Sequence, residues 1–135
     1  MASLQPVQFE IGGRKYSTIP LTGFDVLDLN RIVDDMWSRM VDNVRSRGIA
    51  ADDKTAVMSA MTDALSSELA HMSKEDYRNL IEMTLSSTTL MGGAKEKDTR
   101  LSNADIVGDA FAGHLVDLPN VLVEVWSANK LSPFA

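Results

Sequence analysis

From Val7 to Ile11 apolar and polar positions alternate strictly: Val7, Phe9 and Ile11 are apolar, Gln8 and Glu10 polar. A period of two marks a half-buried strand. Gly12-Gly13 follows, a pair that accepts the positive φ angles of a tight hairpin turn. Arg14 to Ile19, with Tyr16, Thr18 and Ile19, reads as the return strand. Pro20 ends it, because proline has no N–H to give to a ladder. The pattern therefore predicts a β-hairpin over about residues 7–19. Two strands alone are marginal in water, so the hairpin must pack on something, most simply the helices that follow.

Beyond Pro20 the apolar spacing lengthens to three and four, the period of a helix with one buried stripe. Phe24, Leu27, Val33, Met36, Trp37, Met40, Val41 and Val44 predict a first helix over about 23–47. Thr22 and Asp25 form its capping box, and Gly48 is a natural C-cap. A second helix, about 53–71, has Asp52 or Asp53 as its cap and Ala56, Val57, Ala60, Met61, Ala64, Leu65, Leu69 and Met72 as its stripe. A third, about 74–90, opens at Ser73 with Asp76 three positions on; Tyr77, Leu80, Ile81, Thr84 and Leu85 give its buried face. Ala94 to Arg100 is charged and apolar-poor and predicts an exposed loop within about 92–102. Ser102 with Asp105 then opens a fourth helix, about 103–117, carrying Ile106, Val107, Ala110, Phe111 and Leu115. Pro119 breaks or kinks it, or sits at the first turn of a fifth, about 119–130, with Val121, Leu122, Val125 and Trp126. Leu131–Ala135 is a short tail. The expected fold class is mainly α: an N-terminal β-hairpin followed by a bundle of four to five helices, in a single domain over 1–135.

Composition fits that architecture. Hydrophobic residues are 44% and charged residues 24% of the 135, ordinary for a globular domain. The net charge of -6, from 19 acidic and 13 basic residues, argues against a nucleic-acid binder that neutralises phosphates and against docking on an anionic membrane. There are no cysteines, which excludes disulfides and thiolate-bound metal. No apolar run approaches the ~20 residues that span a bilayer. Met1 to Pro6 lacks the basic and apolar regions of a signal peptide. A cytoplasmic protein without membrane or nucleic-acid partners is the plain reading.

The usual carriers of chemistry are missing. His71 and His114 are far apart and in no metal-binding spacing; helix-terminal or partly buried histidines explain them. Asp34-Asp35 and Asp52-Asp53 are adjacent pairs, whose side chains diverge on a helix, so a solvated face and an N-cap explain them better than a shared carboxylate site. Gly12-Gly13 and Gly92-Gly93 belong to no phosphate-loop pattern. No catalytic, cofactor-binding or metal-ligating residue is expected. What remains is apolar. Eight methionines, with Met36, Met40, Met58, Met61, Met72 and Met83 on or near helical stripes, fill an irregular core or face a variable partner. Trp37 and Trp126 sit on apolar stripes, where core packing is the default and an interface anchor the alternative. Leu131 and Phe134 belong to an apolar tail with no assigned place. Trp37, Met40, Trp126, Leu131 and Phe134 are the candidate protein-interaction residues.

The two ends of the chain resemble a known family. Phe9-Glu10-Ile11-Gly12-Gly13-Arg14-Lys15-Tyr16 runs into Ile19-Pro20-Leu21-Thr22-Gly23-Phe24-Asp25; at the other end Leu118-Pro119-Asn120-Val121-Leu122 leads to Val125-Trp126-Ser127-Ala128-Asn129 and then Phe134. This is similar to the small tail assembly chaperones of long-tailed bacteriophages. The resemblance covers about a third of the chain, and the middle matches only in being helical. It implies a mainly helical, non-catalytic protein that binds the tape measure protein and helps recruit tail tube subunits in the host cell cytoplasm. It also implies absence from the finished virion, and in many members a longer frameshifted product. Self-association is a further possible partnership. The rival reading is a structural virion component such as a head–tail connector or minor tail protein. An enzyme or ligand-binding domain would need convergent polar groups in a pocket, and the sequence offers no set of them.

Overall fold

A computed structural model of the chain describes residues 5–49, 52–93 and 96–131. Two strands, β1 (Val7–Ile11) and β2 (Arg14–Thr18), are followed by helices α1 (Gly23–Ser46), α2 (Lys54–His71) and α3 (Lys74–Leu85). Two short strands, β3 (Thr88–Leu90) and β4 (Thr99–Arg100), come next, then α4 (Ala104–Ala110), a 3₁₀ turn at Leu115–Asp117 and α5 (Leu118–Ala128).

The hairpin forms as its alternation predicts. Ile11 pairs with Arg14 across a two-residue loop, and Gly12 and Gly13 take φ of 59° and 80°, values that only glycine adopts cheaply. The partner of the hairpin differs from expectation. It is the edge of a four-stranded antiparallel sheet, ordered β1-β2-β3-β4, as well as a surface for helices. Residues 86–90, expected to continue the third helix, leave it at Ser86 and form β3 instead. The reason is local and tertiary at once. Thr88-Thr89 are β-branched and fit a pleated surface, and β2 offers a free edge. Thr18 pairs with Thr88, their buried hydroxyls 2.8 Å apart. The expected exposed loop likewise carries β4, paired with β3 through Thr89–Arg100 and Leu90–Thr99.

Capping follows the sequence in part. Asp53 accepts from the Ala56 N–H and Ser73 from the Asp76 N–H. Thr22 makes no side-chain cap bond; Gly23 after it has φ 67°, outside the helical region, so the spacing that a capping box needs is lost. At the fourth helix Asn103, not Ser102, is the cap, accepting from Ile106 N–H. That helix stops at Ala110, short of the expected 117, and Gly113 at φ 78° lies in the turn beyond it. α5 begins at Leu118 with Pro119 in its first turn, where a missing N–H costs nothing.

The core is one cluster. α1 contributes Leu29, Val33, Met36, Met40 and Val44, a stripe at i, i+4, i+7, i+11 and i+15. The expected stripe included Phe24 and Leu27 and omitted Leu29; the structure leaves Phe24 81% and Leu27 62% exposed. α3 adds Leu80, Ile81, Thr84 and Leu85, and α5 adds Leu118, Val121, Leu122, Val125 and Trp126. α5 packs on α2, α3 and β1. Tyr16 of β2 is stacked between Phe9 and Phe111, with centroids 5.3 and 6.2 Å away. Arg14 donates to the Ala110 carbonyl at 2.8 Å and lies over the Phe111 ring, tying the sheet to the end of α4.

Candidate protein-docking surface

The two histidines stand on separate elements. His71 ends α2, its Nδ1 2.7 Å from the Ser67 carbonyl oxygen. His114 precedes the 3₁₀ turn, 3.9 Å from the Asp117 carboxylate. Among the described residues no group of three His, Asp or Glu could hold a metal ion, and no single helix is long and apolar enough to cross a membrane. Of the acidic pairs, Asp35 bonds Arg39 at 2.7 Å and Asp53 caps α2.

The candidate interaction residues fall into three situations. Trp126 is fully buried, and its indole N–H donates to the Thr84 hydroxyl at 3.2 Å. Leu131 is also buried. Its N–H donates to the Trp126 carbonyl, and the Lys130 N–H to that of Ser127. With Lys130 at φ 54°, this is a Schellman ending, in which the residue after the left-handed position closes the helix with an apolar contact. Met40 is buried in the α1 stripe but reaches the floor of a groove of about 420 Å³. Half-buried Trp37 lines the same groove, with Val57 and Met61 of α2 and Val123 of α5. The structure thus brings Trp37 and Met40 together and puts Trp126 and Leu131 in the core. Phe134 lies outside the described residues.

Two other hollows open on helix faces. One, about 980 Å³, runs between α1 and α3 over a floor of Met36 and Leu80, flanked by Ile32, Met72 and Met83. Its rim is charged, with Asp25, Arg31, Asp35 and Arg39 on one side and Asp76 and Glu82 on the other. Arg39 donates to Asp35 and, at 2.6 Å, to Glu68; these hydrogen bonds, that to Asp35 first, push its pKa above the usual arginine value. The other hollow, about 350 Å³, lies between α3 and α4 and is lined by Tyr77, Ile81, Val107 and Phe111. Burial there pushes the Tyr77 phenol above its ordinary range. Beside it the 3₁₀ turn leaves Leu115 70% and Val116 81% exposed.

Exposed apolar side chains next to apolar hollows are the marks of a protein-docking surface. Phe24, Leu27, Leu115 and Val116 were not singled out from the sequence as surface residues. For the first two a signal existed: they are out of phase with Leu29, Val33, Met36 and Met40, and a helix has one centre of burial. For Val116 the signal was its adjacency to Leu115, since neighbours on a helix do not share a face.

A family model described as "Phage tail assembly chaperone protein, TAC" matches residues 12–134. No curated protein and no solved structure matches the chain.

Proposed function

The chain belongs to the phage tail assembly chaperone family, a non-catalytic family acting on tail proteins in the infected host cell, and from that premise we propose that it binds the tape measure protein in the host cytoplasm and helps recruit tail tube subunits to it. The family match over residues 12–134 carries this reading. The surface supports it. In this reading the client is an apolar helical protein whose stripes the chaperone covers until assembly. Grooves between helices, with apolar floors and charged rims, accept such stripes by helix-in-groove recognition. The net charge of -6 keeps the loaded complex soluble. Trp37 and Met40 line one of these grooves and form part of the client surface in this proposal, whereas Trp126 and Leu131 act by holding the scaffold that presents it.

Co-expression with the tape measure protein is expected to yield a soluble complex that co-purifies in stoichiometric amounts. Failure to bind any tail protein overturns the reading. The rival, a virion component, is separated by mass spectrometry of mature particles: stoichiometric presence there identifies a structural subunit rather than a chaperone.

A further inference from the structure

The three hollows differ in charge as well as in volume, and that difference specifies an occupant for the one between α1 and α3. Its α1 wall runs from Asp25 to Arg39, and its other wall from Met72 through α3 to Ser86. The α1 wall spans roughly 21 Å of helix from Asp25 to Arg39, and the facing wall is α3, Lys74–Leu85, with Met72 and Ser86 at its two ends, so the hollow is a trough rather than a pit. The floor is apolar. Met72 and Met83, half-buried beside Met36, are unbranched and adapt to the side chains of a partner. No lining residue of the trough belongs to a strand, so it offers no strand edge among the described residues. An extended peptide there would leave its backbone N–H and C=O groups unpaired, whereas a helix satisfies its own.

The rim chooses the charge of that helix. Four carboxylates border the trough, against two guanidinium groups. Arg39 is already held by Asp35 and Glu68, and Arg31 lies 4.0 Å from Asp28. Glu82 accepts the Ala104 N–H. Asp25 on α1 and Asp76 on α3 line the trough from its two walls. Carboxylates outnumber guanidinium groups on the rim, and Asp25 and Asp76 enter no ion pair among the described residues. Phe24, exposed, shares a helical strip with Arg31 and Asp35 at i, i+7 and i+11, which places an apolar hook on the same rim.

We infer that the α1–α3 trough is the docking site for a single amphipathic client helix of three to four turns whose apolar stripe is flanked by lysine or arginine. This deepens the chaperone reading and rests on it for the identity of the client. Met72, Met83 and Phe24 take the apolar stripe, and Asp25 and Asp76 take the flanking cations.

The test uses the full chain and two labelled 15-residue helical peptides. Both carry leucine at i, i+4, i+7 and i+11; one has lysine flanks and the other glutamate. The lysine peptide is expected to bind about five- to tenfold more tightly, the product of a few exposed ion pairs, with the difference shrinking at high salt. The double variant Asp25→Lys/Asp76→Lys, shown folded by circular dichroism, is expected to erase that preference. Leu115→Asp, in the other apolar hollow, is expected to leave it intact. Equal binding of the two peptides overturns the inference, as does loss of binding in Leu115→Asp alone. So does a wild-type dimer that the double variant dissociates while neither peptide binds, which makes the trough an interface between copies. Co-purification separates this inference from the chaperone reading. If the double variant still carries the tape measure protein as well as the wild type does, the trough is wrong and the chaperone stands; if the wild type carries no tail protein, the chaperone reading fails.

Discussion

α5 and α1 each carry one of the two tryptophans, and they use them differently. α5 is short, Leu118–Ala128, and buries five side chains against α2, α3 and the sheet. Trp126 is enclosed there, with its one polar atom bonded to Thr84. α1 is twice as long, Gly23–Ser46, and also buries five, so most of its surface faces outward. Trp37 lies at the margin of that stripe, in a groove. A helix enclosed on several sides has its apolar residues consumed by the fold. A helix that packs on one side keeps apolar residues at its margins, and these are what a partner can reach.

The sharpest test of this contrast is Trp126→Ala. Removing a fully buried indole is expected to cost about 3–5 kcal/mol, read as a fall in the denaturation midpoint. A cost near that of a surface substitution would break the claim that α5 is central. Thr84→Val comes next. It removes the buried hydroxyl to which the indole N–H donates, and the expected loss is about 1–3 kcal/mol; the near-UV circular dichroism of Trp126 reports whether the ring also moves. Trp37→Ala, at a half-buried site, is expected to cost less than Trp126→Ala, on the order of 1–2 kcal/mol, while weakening tape measure co-purification. If it costs as much as Trp126→Ala, the two helices are not distinct in role. At the small end, Phe24→Ser is expected to change stability by less than about 0.5 kcal/mol, in either direction, and to weaken binding of the lysine-flanked peptide.

The regular elements were legible because their signals are short-ranged. Alternation over Val7–Ile11 and the Gly12-Gly13 pair specify the hairpin, and spacing of three and four specifies the helices. Pro119 marks the start of α5. The errors have a common cause, a choice settled by distant parts of the chain. Thr88–Leu90 follows a helix without a strong stop, and only the edge of β2, seventy residues earlier, makes it a strand. Lys130 carries no sequence mark of a left-handed helix end, the place usually taken by glycine. Its conformation goes with the burial of Leu131, which therefore belongs to the helix end and not to a free tail. Phe24 and Leu27 match helical spacing with each other, but Leu29, five and two positions on, sets the phase of the buried stripe and leaves both outside it.

The candidate surface was less legible than the fold. Trp37 and Met40 were picked out as apolar residues of a helix, and the structure sets them in one groove. Nothing in their spacing says that Val57, Met61 and Val123 stand opposite. The trough between α1 and α3 was invisible for the same reason, since its walls are separated by all of α2.

By itself, then, the sequence determined the helical class, the hairpin and the absence of cysteine chemistry, and the resemblance at its two ends pointed to the family that the match over 12–134 shows. These follow from composition and from patterns a few residues long, where backbone geometry alone links neighbour to neighbour. Tertiary structure decided the four-stranded sheet, the enclosure of Trp126 and the exposure of Phe24 and Leu115. Each of those depends on which residues far along the chain arrive at the same place, and burial is a property of that meeting rather than of any residue's own type.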